Sequence, residues 1–194
     1  MKTKLLTICL LLITSQVFAE EYLQEDYIDD KWTVKVITEK SSPTRIYASV
    51  NGKISHGDRL NVVISIKDME SCNVGNTTTT FHTMIENEKI SKISNLIIPA
   101  VFKEDKINIM ALFSINNELL KGYVVWMHMG WNSLENIEKY FQNTSEVSLK
   151  LVSNDNININ EYFDIPENIF SLNGLKDSLD RAKKECYRIV QNKK

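Results

Sequence analysis

Leu60, Val62, Ile64 and Ile66 alternate with Asn61, Val63, Ser65 and Lys67. A period of two puts one set of side chains on one face of an extended chain, which a helix cannot do. The same period runs through Trp32, Val34 and Val36, through Ile46, Ala48 and Val50, and through Thr79, Phe81, Thr83 and Ile85. It returns at Ile107, Ile109, Ala111 and Phe113, and again at Val147, Leu149 and Leu151. Repeated half-buried strands of this kind call for an antiparallel sheet or sandwich with one face in the core. Asn51-Gly52 favours a type I′ hairpin turn, because both residues tolerate positive φ. Leu96 to Phe102 is apolar but contains Pro99, which reads as an edge or bulged strand. Asn116-Asn117 turns the chain, and Leu119 to Met129 returns as a hairpin partner.

Two helices interrupt the alternation. Asn132 with Glu135 three residues later forms a capping box, and Leu134, Ile137 and Phe141 make the apolar stripe that follows. From about Gly174 to Val190, Leu175, Leu179, Ala182, Cys186 and Ile189 recur at helical spacing. The class is therefore α+β: an antiparallel β-sheet or sandwich with a short helix and a C-terminal helix packed on it.

The N-terminus has the three parts of a secretory signal. Lys2 and Lys4 precede an apolar run from Leu5 to Ile13, and Val17 and Ala19 suit the −3 and −1 positions of a signal peptidase. The run is too short to span a bilayer, and no later stretch supplies an integral membrane segment. Residues 1–19 read as the signal, 20–31 as an acidic arm carrying Tyr22 and Tyr27, and 32–194 as a single β-rich domain. The expected location is periplasmic or secreted. Cleavage removes Cys9 and leaves Cys72 and Cys186, and an even pair in an exported chain forms a disulfide. Cys186 faces inward on the last helix, as a staple to the sheet requires.

Charge limits the partners. The chain has 23 basic and 25 acidic residues, and loss of Lys2 and Lys4 leaves 21 against 25. A mildly acidic chain without a basic run is a poor nucleic-acid binder, because phosphates are neutralised by clustered Lys and Arg.

The sequence contains no cofactor motif and no spaced metal-ligand set. His56, His82 and His128 lack neighbours at ligand spacing, although His82 and His128 could meet across a sheet. Ser55, His56 and Asp58 sit in one turn, where Asp58 bonding its own backbone is the simpler reading. Glu86 with Glu88, and Glu104 with Asp105, read as solvated turn residues. Tyr123, Trp126 and Trp131 make the most aromatic stretch, and apolar strand residues of this kind usually lie inside. If exposed, Trp126, His128 and Trp131 form an interaction surface, with nearly salt-independent binding. The arm with Tyr22 and Tyr27 forms the other, with salt-sensitive binding.

Trp32 at the opening of the first strand, the alternating strands and the closing segment Phe170-Ser171-Leu172-Asn173-Gly174-Leu175 together resemble the invasion-associated locus B family of exported bacterial proteins. That family ends in a similar Ser-Leu-x-Gly segment leading into a short helix. This chain has fewer cysteines and a longer final helix bearing Cys186. The resemblance implies a periplasmic or secreted β-sandwich and carries over no site residues. The expected function is a non-enzymatic binding protein of the bacterial envelope, acting on a protein or envelope polymer. An inhibitor of a periplasmic or host hydrolase is the alternative, and a small secreted hydrolase is the third.

N-terminal sequencing of the protein recovered from periplasm or medium should begin at Glu20. A chain that still begins at Met1 would remove the case for export.

Overall fold

The computed structural model describes residues 31–38, 44–55, 57–118 and 121–192. The expected signal, most of the acidic arm and His56 lie outside the described residues. The described residues form one nine-stranded antiparallel sheet with helices, an α+β fold. In chain order the strands are β1 (Thr33–Ile37), β2 (Arg45–Asn51), β3 (Arg59–Ser65), β4 (Val74–Thr83), β5 (Ile97–Phe102), β6 (Asp105–Asn116), β7 (Tyr123–Ser133), β8 (Glu146–Leu151) and β9 (Glu167–Ser171). In space they lie in the order β1-β2-β3-β4-β7-β6-β5-β8-β9. The helices are α1 (Glu88–Ser91), α2 (Leu134–Phe141) and α3 (Leu175–Asn192). Among the described residues no helix is long and apolar enough to cross a membrane.

The alternation builds the core as expected. Ile46, Ala48, Val50, Leu60, Val62, Ile64, Phe81, Val125 and Met127 are buried on one face, in a single cluster with the apolar stripes of α2 and α3. Both helices therefore cover this inner face. Gly75 on β4 lets α2 sit close, because a Cβ there would overlap Val62 and Leu134. Cys72 and Cys186 are joined, with Cα atoms 5.6 Å apart, so α3 is stapled to the 3-10 turn between β3 and β4. Tyr187 adds a hydrogen bond from its hydroxyl to Asn73 Oδ1 at 2.9 Å.

The sheet curls until β9 meets the end of β2. Gly52, just past β2, bridges Phe170 of β9, and the Lys53 N–H donates to the Ile169 carbonyl at 3.0 Å. The expected Asn51-Gly52 hairpin turn is not formed, since β2 and β3 are joined through residues 52–58 instead. Gly52 serves closure: any Cβ would run into the side chain of Asn168. Asn168 takes the Ile54 N–H on its Oδ1 at 3.0 Å and donates its Nδ2 to Asp58 Oδ2 at 2.7 Å. The other Asp58 oxygen accepts the His82 N–H at 2.6 Å. Asp58 is thus a fully buried tie between β3, β4 and β9, and the reading of it as a turn residue bonding its own backbone is corrected.

Three further expectations change. Ser133 caps α2 through its Oγ, accepting from the Asn136 N–H at 3.1 Å, and Asn132 lies one residue outside. β5 is an interior strand between β6 and β8. Pro99 is tolerated because its carbonyl, and with it the missing N–H, points toward Val152, beyond the paired residues Ala100 to Phe102 on that side. Phe113 leaves the inner face, because the β6–β7 register shifts between Ala111 and Phe113.

Reducing the disulfide in effect, by Cys186→Ser, should lower unfolding free energy by roughly 2–5 kcal/mol, as loss of a native disulfide usually does. Urea titrations of the two proteins measure it. Burial pushes the Asp58 carboxyl from 3.8 up to about 7, against the lowering effect of the His82 N–H and Asn168 amide. The folded state thus holds this proton more tightly than the unfolded chain. The resulting stability is full below pH 3.8 and is lost as pH rises through about 7. The stability of wild type relative to Asp58→Asn should therefore fall over that window, by at most on the order of 4 kcal/mol. A rise in that difference with increasing pH would contradict the raised carboxyl pKa.

Candidate functional site

With the helices on the inner face, the outer face of β1 to β4, β7 and β6 is left without a covering element among the described residues. Register sets its residues in three rungs. One runs Lys35, Tyr47, Val63, Asn76, Trp131. The next runs Ser49, Asn61, Thr78, His128, Met110. The third runs Asn51, Arg59, Thr80, Trp126, Phe113.

Tyr47 and Trp126 stand on different rungs, with β3 and β4 between them, yet their ring centroids are 6.2 Å apart in an edge-on contact at 78°. Such a contact is possible only if both side chains lean across the middle of the face. Beneath them Asn61, Val63, Thr78 and Thr80 are buried although they point away from the core. Asn61 Nδ2 donates to Thr78 Oγ1 under this roof at 3.4 Å. Phe113 stacks on Trp126 at 6.0 Å and 25°. Edge-on and offset pairs are the arrangements that ring quadrupoles favour, so the strip is a packed surface. It remains open to solvent: Phe113 is 42% exposed, Ile115 52% and Trp131 54%.

Trp126, His128 and Trp131 are thus brought onto one face. The expectation that Trp126 and Trp131 lie in the core is corrected, because Val125 and Met127 occupy the inner positions of β7. The β4–β7 register then shifts around Met129 and Gly130, which points Trp131 outward again. Tyr123 does pack against the core. His128 and Asn76 share a hydrogen bond at 2.6 Å between Nδ1 and Oδ1, and the imidazole lies 6.4 Å from the Trp131 ring. His82 bonds the Lys121 carbonyl through Nε2 at 2.6 Å. It pairs with Val124 while His128 pairs with Thr78, four positions away along β4, so the two imidazoles do not meet. Among the described residues no group of three His, Cys, Asp or Glu could hold a metal ion. Tyr22 and Tyr27 lie outside the described residues.

Sequence reasoning missed Tyr47 and Phe113. Tyr47 occupies a polar-parity position between Ile46 and Ala48, which is a readable signal. Phe113 carries none, since the bulge that turns it outward interrupts an otherwise regular alternation.

Charge is sorted on this face. Strands β1 to β4 and β7 contain no Asp or Glu. Lys35, Arg45 and Arg59 point outward among them, and Arg59 donates from Nε to Asn51 Oδ1 at 3.2 Å. The face is apolar at its centre and basic at its margin, within a chain of formal charge −2. No protein-family model, no curated protein and no solved structure matches this chain.

Proposed function

We propose that this chain is an exported, non-enzymatic binding protein of the periplasm or extracellular space, and that it docks an acidic protein partner through the outer face of β1 to β4, β7 and β6. The observation that carries the reading is the strip of Tyr47, Trp126 and Phe113 beside strands β1 to β4 and β7, which contain no Asp or Glu and carry Lys35, Arg45 and Arg59. Contiguous exposed apolar surface of this kind commonly marks an interaction site, and buried aromatics are the usual anchors of binding energy. Tyr47 stands edge-on to Trp126, so the three rings do not form one flat platform, which suits a side-chain-bearing protein surface better than the flat face of a sugar. The basic margin favours acidic groups on the partner and repels basic ones. The Cys72–Cys186 bond supports the location, since disulfides persist in oxidising compartments. The resemblance to the invasion-associated locus B family fits the same reading.

The test is capture from envelope extract, followed by affinity measurement with the partner recovered. Phe113→Ala and Trp131→Ala, both at exposed positions, should each weaken binding about tenfold or more, as anchor residues do. Arg59→Glu should weaken it further. Contrary to the salt-independence expected of the tryptophans alone, affinity should fall as salt rises from about 0.1 M to about 1 M, where screening shortens from ~10 Å to ~3 Å. Equal capture by all variants would exclude this face. Recovery of an acidic polymer in place of a protein would change the partner class, and turnover of a glycan or peptide would establish the enzyme reading instead.

A further inference from the structure

On the side of the sheet away from the aromatic strip, α2 and the adjoining ends of β5, β6 and β7 border an open cavity of about 510 Å³. That volume lies in the range of small-molecule sites, roughly 300–1,000 Å³. Its walls are apolar: Phe102, Ile107, Met129, Ile137 and Phe141. A bulge shapes one side. The β4–β7 register shifts at Met129 and Gly130, where φ is +144° at the glycine and an added Cβ would meet nothing within 4 Å. Bulges of this kind recur beside functional sites.

The cavity is held open by fixed contacts. The tip of the β5–β6 hairpin is latched to the end of α2: the Tyr140 hydroxyl donates to Asp105 Oδ2 at 2.8 Å, and Lys103 Nζ donates to the Tyr140 carbonyl at 3.3 Å. Phe102 stacks on Tyr140 at 6.1 Å and 14°, and meets Phe141 edge-on at 5.7 Å. Burial and the Asp105 carboxylate push the Tyr140 hydroxyl up to about 12, so it stays protonated as this donor.

The rim is polar and balanced in charge. Asn132, Asn136, Asp105 and Lys139 line it. The side chains of Asn132, Asn136 and Lys139 make no hydrogen bond or ion pair among the described residues. Among the residues that line the cavity one carboxylate and one ammonium balance, while two side-chain amides offer both donors and acceptors. We infer that this cavity binds a small amphiphile with an alkyl or aryl body and an uncharged, hydrogen-bonding head, the body lying against Phe102, Ile107 and Ile137 and the head between Asn132 and Asn136. This site is separate from the outer face and does not depend on the partner proposed for it.

The test is an amide NMR titration of the full chain with n-octyl-β-glucoside, octanoate and octyltrimethylammonium, each below its micelle-forming concentration. The glucoside should shift resonances of α2 and of the ends of β5, β6 and β7, and should bind at least tenfold tighter than either charged probe. Ile107→Trp, which fills the cavity, should abolish the shifts. Asn132→Ala with Asn136→Ala, at exposed positions with little structural cost, should weaken the glucoside at least fivefold and keeps the test decisive if the Trp variant does not fold. The inference is overturned if no probe binds, if all three bind alike, or if the shifts centre on Phe113 and Trp126.

Discussion

Everything in this fold follows from how the curled sheet closes. Nine strands bring β9 round to the end of β2, and the seam they form is polar: Gly52, Asn168 and Asp58, with the backbone of Lys53, Ile54 and His82. A buried carboxyl is costly unless its hydrogen bonds are made, so a seam of this kind tolerates little variation in geometry. No buried side-chain nitrogen or oxygen among the described residues is without a partner. Closure is therefore specified by directed bonds at one end, while the disulfide and α3 secure the interior at the other. Trp32 joins the two, since its indole Nε1 donates to the Ser171 carbonyl at 2.8 Å within the core.

Closure also separates the two faces. The inner face receives α2 and α3 and accounts for nearly all the buried apolar residues. The outer face has to satisfy solvent without a covering layer, and it does so with a roof of its own, Tyr47 and Trp126 over Asn61 and Thr78. Threonines fill β4 at residues 77–80, which suits a central strand that is buried on both sides but not wholly apolar on either. Two bulges, near Leu112 and Met129, reset the parity of β6 and β7. One delivers Phe113 to the outer strip, and the other delivers Trp131 to the outer face and opens the cavity beside α2.

Much of this was legible in the sequence. Period two marked most of the strands, helical spacing marked both long helices, and cysteine parity gave the staple. These are local signals, each set by one segment's own solvent partition. What stayed hidden was set between segments. Nothing in Asp58 announces Asn168, 110 residues later. Asn51-Gly52 looks like a tight turn and is a close approach to another strand, because a glycine serves both purposes. The same limit applies to the outer face: the residues of β7 were readable as a cluster, whereas their side of the sheet depended on bulges that no alternation pattern records. Pro99 misled for a related reason, since a missing N–H matters only on the side where a neighbour needs it.

The sorting of charge has a consequence for approach as well as for contact. The chain's 25 acids all lie outside β1 to β4 and β7, while those strands present arginine and lysine on one surface. Among the described residues Tyr47 and Trp126 of the aromatic strip therefore lie on strands whose only formal charges are positive. An acidic group that comes within a screening length of about 8–10 Å of those side chains is attracted to them before the rings are touched.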